Sequence, residues 1–307
     1  MKFRNKTGLG EACVVSSAVL FGLMPLLVKI VVAHGGNAYM AALGRFFFGS
    51  LILFAFICGR QGSCPKIARE QLWEILPLSV YYALTPVLLF LSYDYMDSGL
   101  ATTLHFTFPA MVIALSAILF RIFPDRRQMV CAILCIAGVS QLSGGGPAEM
   151  KGIVFAVLSG AAYALYIIYL GRSPLQSQSA LTVVFWMSLL SSAEIAAAAA
   201  VTGNLVFIPD ITALLGMLAL AFFATALALV LFQKGLFYCG AVRASLLCTF
   251  EPLTSLFIGC LVFQEILTAQ NVIGILCVLG AGVLLVLPAS LFTSVKRQWG
   301  QTGHYKN

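Results

Sequence analysis

Residues 241–263 read AVRASLLCTFEPLTSLFIGCLVF, an apolar run of membrane-crossing length with an acid, Glu251, and a proline, Pro252, near its middle. The run has a counterpart at 98–120, SGLATTLHFTFPAMVIALSAILF. Ala101 lies over Ala244, Thr102 over Ser245, and Phe108-Pro109 over Glu251-Pro252, a shift of 143 residues. Working outward, the shift persists at about 142–143 residues. Tyr95 lies over Tyr238, and Gly10 to Ile30 over Gly152 to Arg172, with Ser17-Ala18 against Ser159-Gly160 and Phe21 against Tyr163. After a one-residue gap, Gly138-Val139 lies over Gly282-Val283. The chain is built twice.

Composition places both copies in a bilayer. Of 307 residues, 61% are hydrophobic and 9% charged, against roughly 45–50% and about 25% in soluble domains. A soluble globular protein and a disordered chain are both excluded. Apolar runs are read at 10–33, 38–58, 73–95, 98–120, 126–143, 151–171, 180–201, 211–233, 241–263 and 270–290. They are continuous rather than alternating, so they predict helices and not a membrane barrel. The fifth falls near the lower limit of about 17 residues. The first follows Lys2, Arg4 and Lys6 as a secretory signal would, but exceeds the 7–15-residue core of a signal peptide. Its counterpart in mid-chain marks it as a retained helix.

Ten spans put both termini on one side, and the positive charges name that side as cytoplasmic. It collects fifteen of the eighteen Lys and Arg residues, while the other side holds Lys151 alone; Lys29 and Arg45 lie within spans. The expected fold is therefore an all-α membrane protein of ten transmembrane helices. A first five-helix unit occupies 1–143, an outer linker 144–149, a second unit 150–290 and a cytoplasmic tail 291–307. Five is odd, so the second unit enters the membrane in the opposite sense. Inverted-topology repeats of this kind are common among secondary transporters, where the two halves exchange which side is open.

Ionisable residues inside the membrane are costly and functional by default. Glu251 lies about 15 Å into its helix at 1.5 Å per residue, on a stripe with Ala244, Cys248, Ser255 and Gly259. It is a proton acceptor, a ligand for a substrate amine, or a structural acid. Pro109 frees the carbonyl of His105, and Pro252 that of Cys248; paired helix interruptions in two halves point to a transport site. His105 binds substrate, exchanges protons, or simply bonds a neighbouring helix. Arg45 needs an acidic or carbonyl partner, with Glu194 and Glu251 as the candidate acids, unless it takes a substrate carboxylate. Phe21, Tyr82, Tyr163, Tyr166 and Trp186 are aromatic candidates for the same pathway, with packing and interface anchoring as the alternative.

Glu251-Pro252, followed by Gly259, Glu265, Gly274, Gly280 and Gly282, together with Arg45, resembles the EamA-type transporters of the drug/metabolite transporter superfamily. The first half departs from the pattern, with Phe108 where the second has Glu251. The resemblance implies export of amino acids or other small metabolites across a bacterial inner membrane, by a monomer or homodimer, often with proton coupling. It implies no cofactor and no nucleic-acid partner. An uncoupled facilitator is the alternative within the class, and a receptor or scaffold the alternative outside it. Motifs of hydrolases, nucleotide sites and Cys/His metal sites are absent from the sequence, and the nine cysteines read as small packing residues.

Overall fold

The computed structural model describes the backbone of residues 2–61, 64–96, 98–121, 123–142, 149–263 and 269–286. Positions 144–148 of the expected linker and the expected tail at 291–307 lie outside the described residues. A chain this apolar has no water to satisfy its backbone inside a bilayer, so each run closes its hydrogen bonds internally as a helix. The first half holds α1 (Lys2–Phe21), α2 (Met24–Ala33), α3 (Ala38–Gln61), α4 (Arg69–Ser92), α5 (Ser98–His105), α6 (Phe108–Phe120) and α7 (Arg126–Leu142). The second half holds α8 (Met150–Arg172), α9 (Ala180–Val201), α10 (Ile211–Leu220), α11 (Ala228–Cys239), α12 (Ala241–Leu247), α13 (Phe250–Phe263) and α14 (Ala269–Val286).

The protein is an all-helical membrane protein. Among the described residues, six stretches are long and apolar enough to cross a bilayer: Thr7–Ala33, Ala38–Arg60, Arg69–Ser92, Met150–Arg172, Ala180–Val201 and Ile211–Cys239. Phe108–Phe120 and Val272–Ala281 are shorter apolar helices.

Two spans differ from the sequence reading. The first, expected as one helix over 10–33, breaks between Phe21 and Met24, because Pro25 sits in the first turn of α2 and lacks the N–H that would continue the ladder. The eighth, expected to end at 233, runs on to Cys239 and carries a π-helical segment at Ala221–Leu227 between α10 and α11. Asp210 starts it by accepting hydrogen bonds from the backbone N–H groups of Thr212 and Ala213, which hold its carboxyl below the usual carboxylate range.

Helix packing crosses the two halves. α1 packs on α11, α4 on α8, α3 on α9 and α7 on α14. α5 and α6 pack on α8, as α12 and α13 do on α1. Individual contacts recur in the same way. Ser17 Oγ donates to the carbonyl of Ala228 at 2.7 Å, and Ser159 Oγ to that of Thr85 at 2.8 Å. A Cβ on Gly10 would lie 2.6 Å from the Cβ of Tyr238, and one on Gly152 would lie 2.9 Å from the Cβ of Tyr95. At both places glycine is what lets the helices meet. One buried core runs through both halves, from Val14 and Phe46 to Tyr166, Phe232 and Leu247.

Candidate functional site

The helices forming this core are interrupted where the paired prolines predict. α5 ends at His105 and α6 resumes at Phe108; α12 ends at Leu247 and α13 resumes at Phe250. The carbonyl freed at Cys248 accepts the N–H of Glu251 at 2.9 Å. The carbonyl of His105 instead meets α8, where a Cβ on Gly160 would stand only 2.8 Å from its oxygen. The break also corrects the expected stripe around Glu251. Ala244 precedes the interruption and Cys248 lies within it, so neither shares one continuous helix with Glu251 and Gly259. The side chain of Ser255, and all of Glu265, lie outside the described residues. Pro109, Pro252 and Cys248 are buried.

Arg45 of α3 is 2% exposed. Its guanidinium donates to Tyr82 Oη at 2.6 Å, to Thr225 Oγ1 at 3.3 Å and to the carbonyl of Ala224 at 3.4 Å. It also lies 5.0 Å from the ring centroid of Phe46 and 5.5 Å from those of Phe21 and Tyr82, close enough for cation–π attraction. Thr225 returns its hydroxyl to the Arg45 carbonyl at 3.3 Å. Ala224 and Thr225 both belong to the π-helical segment, so that irregularity supplies two of the three acceptors. An unpaired buried charge is expensive; dipoles and ring faces offset the cost here, with no acid within 4.0 Å of Arg45 among the described residues.

The expected pairing of Arg45 with Glu194 is therefore corrected. Glu194 accepts from Ser79 Oγ at 2.6 Å, where α9 crosses α4, and its other carboxylate oxygen is buried without a partner. Glu251 is the acid in electrostatic reach of Arg45. It is half-buried in the first turn of α13, where the helix N-terminus favours a negative charge. Tyr82 neighbours both charges.

Aromatic rings complete the centre. Tyr82 and Tyr166 have centroids 4.7 Å apart, and Tyr163 stacks on Tyr166 at 5.8 Å. Phe108 meets Tyr163 edge-on at 4.8 Å, and Phe232 lies 5.9 Å from it. Gln233 donates from Nε2 to Tyr166 Oη at 3.1 Å, while its Oε1 is buried with no hydrogen-bond partner. Trp186 does not belong to this cluster. Its Nε1–H donates to the carbonyl of Pro65 at 3.2 Å, fastening α9 to the segment before α4.

His105 is buried against Phe106, Phe108 and Tyr163, with its Nδ1 2.9 Å from Ser159 Oγ. The single hydroxyl proton of Ser159 goes to the Thr85 carbonyl, which leaves Nδ1 of His105 to donate to Ser159 Oγ. A paired experiment separates packing from function. Ser159→Ala and Ser17→Ala should each lower thermal stability by about 0.6–1 kcal/mol. Only Ser159→Ala should slow transport more than twofold in proteoliposomes, because it alone releases His105.

Sequence reasoning missed Thr225 and Gln233, although a lone polar residue in an apolar run was a signal for each. It also missed Glu11, which is buried and forms an ion pair with the half-exposed Arg243, joining α1 to α12. Under the repeat, Ile153 occupies the position of Glu11, and it packs against the apolar cluster of Met96, Ala101 and Ala156.

The profile of a family described as the EamA-like transporter family matches the chain twice, over residues 8–144 and 150–287. An uncharacterized transporter of Archaeoglobus fulgidus is 28% identical over 276 residues, 90% of this chain and 95% of its own. The uncharacterized inner membrane transporter YicL of Salmonella typhimurium is 26% identical over 303 residues, with 92% and 97% covered. A crystal structure with 14% sequence identity superposes at a TM-score of 0.74 over 92% of this chain and 97% of that one, a likeness of fold.

Proposed function

This chain belongs to the EamA-like transporter family, and we propose that it is a secondary transporter exporting small metabolites or amino acids by proton-coupled alternating access. That it is a membrane transporter, and not an enzyme, follows from membership. Cargo, direction and coupling are our reading.

The observation that carries the reading is the pairing of Arg45 and Glu251 in one aromatic centre at the helix breaks. They are opposite charges in electrostatic reach without an ion pair within 4.0 Å. A zwitterion satisfies both, its carboxylate on the fixed guanidinium and its amine on Glu251. A proton on Glu251 competes with that amine, which is how a gradient couples to cargo. Tyr82, Tyr163 and Tyr166 supply surface for an apolar or aromatic side chain.

We further read the chain as ten spans in two inverted units, 1–143 and 150–290, with both termini in the cytoplasm of a cell whose plasma membrane holds it. The spans are α1 with α2, α3, α4, α5 with α6, and α7, followed by α8, α9, α10 with α11, α12 with α13, and α14. The exchanged contacts support this. Span one packs on span eight as span six packs on span three, and Ser17 and Ser159 repeat the same bond across that exchange. The charge split supports the orientation, and YicL, by its name an inner membrane transporter, supports the location.

The test is reconstitution in liposomes with labelled amino acids, nucleosides and organic cations, with and without a pH gradient. Wild-type protein is expected to move an amino acid faster when the gradient is imposed. Glu251→Gln should lose the response to the gradient, with the exchange that remains needing a higher cargo concentration because the amine has lost its charged partner. Wild-type flux indifferent to the gradient would leave an uncoupled facilitator; no flux of any cargo would leave a receptor or scaffold.

A further inference from the structure

A groove of about 610 Å³ runs between α3, the start of α9, and the π-helical segment with α11. Its walls change character along their length. Ile52, Leu53 and Phe56 line it on α3, and Phe222, Leu227 and Val230 on the other side. Arg60 and Lys234 stand at the end where α3 stops, beside Gln178 and Ser179. No acid lines the groove, and neither cation has a carboxylate within 4.0 Å among the described residues.

The dimensions match one leaflet. Ile52 to Arg60 spans about 12 Å along α3, and Phe222 to Lys234 about 18 Å, at 1.5 Å per residue. Half of a hydrocarbon core of about 30 Å is about 15 Å. Phe56, Phe222 and Leu227 are 49%, 48% and 40% exposed, so the apolar part opens sideways rather than toward the centre of the protein.

We propose that this groove binds an anionic phospholipid, with its phosphate held between Arg60 and Lys234 and one acyl chain lying between α3 and α11. Two cations reaching in from different helices select charge, and the apolar trough beneath them selects a tail. Each cation near an anionic headgroup contributes enough to make the pair prefer an anionic lipid by about thirtyfold. The inner wall of the groove is the π-helical segment that holds Arg45 through Ala224 and Thr225, so an occupied groove braces the wall of the transport site. Placing the groove in the cytoplasmic leaflet rests on the orientation proposed above. Binding in detergent does not, so the two readings fail separately.

Native mass spectrometry of the full chain in detergent, titrated with phosphatidylglycerol or phosphatidylcholine, tests the site. Wild-type protein should retain one phosphatidylglycerol with a tenfold or greater preference. Arg60→Gln/Lys234→Gln should abolish that preference, while Arg121→Gln/Arg126→Gln, which removes the same charge elsewhere, should keep it. Ala226→Phe, which fills the trough, should also weaken binding by at least fivefold. Inorganic phosphate should not compete. Retained preference in the Arg60/Lys234 variant overturns the proposal. So does unaltered binding in Ala226→Phe, or displacement by phosphate, either of which leaves only a surface charge.

Discussion

Arg45→Met is expected to abolish measurable transport of a carboxylate-bearing cargo while leaving a folded protein. The guanidinium is held by a hydroxyl of α4, a hydroxyl and a carbonyl of the π-helical segment, and three ring faces. Methionine fills similar volume and lets both hydroxyls turn to other acceptors, so the fold survives. In the reading proposed above, the cargo carboxylate then loses the guanidinium that holds it. Removing one partner of a buried, hydrogen-bonded charge pair costs about 2–5 kcal/mol, which is about 30-fold to 4,000-fold in affinity at 1.4 kcal/mol per tenfold. Arg45→Lys should fall between, because an ammonium cannot reach three acceptors in a plane as a guanidinium does. Concentration-dependent uptake in proteoliposomes, set beside melting curves in detergent, reads both effects. Wild-type uptake by a well-folded Arg45→Met protein would remove the carboxylate from our account of the site.

Gly235→Val is the second large effect, and it acts on the fold. A Cβ at Gly235 would stand 2.7 Å from the carbonyl oxygen of Gly10 and 2.5 Å from Val14 Cγ2. A side chain can rotate away, but a backbone oxygen in the facing helix cannot. Overpacking a tight contact costs about 1–3 kcal/mol, and valine adds two further methyl groups at the same place. Because α1 and α11 come from opposite halves, the strain separates the halves rather than loosening one of them. Gly59→Val is the control, since nothing lies within 4 Å of a Cβ there. Melting temperature and yield should drop sharply for Gly235→Val and stay near wild type for Gly59→Val. Equal behaviour of the two would mean that α1 and α11 do not touch in the bilayer.

What was legible in the sequence was what local chemistry decides. Pro109 and Pro252 were legible as helix breaks because the missing N–H and the ring belong to the residue itself, although Pro77 and Pro86 lie inside the continuous α4. Arg45 and Glu251 stood out because an ion in hydrocarbon needs a reason. Partnership was not legible. Arg45 finds Tyr82 37 residues away and Thr225 180 residues away, and Glu194 finds Ser79 at a separation of 115; no periodicity carries such distances. Trp186 misled because indole serves a site or a surface equally well, and its N–H went to a loop carbonyl. The π-helical turn left no mark either. AFFATAL contains neither glycine nor proline, and its widening goes with the Arg45 contacts from the opposite half.

The repeat that makes the two ends of this molecule alike in shape leaves them unlike in fastening. Where Glu11 clasps Arg243, the equivalent place across the pseudo-symmetry is closed by Ile153 and its greasy neighbours. Electrolyte weakens the first kind of closure, and cooling the second. Under the alternating access proposed above, the resting balance between the inward- and outward-open shapes is therefore tunable from either face by a different physical lever.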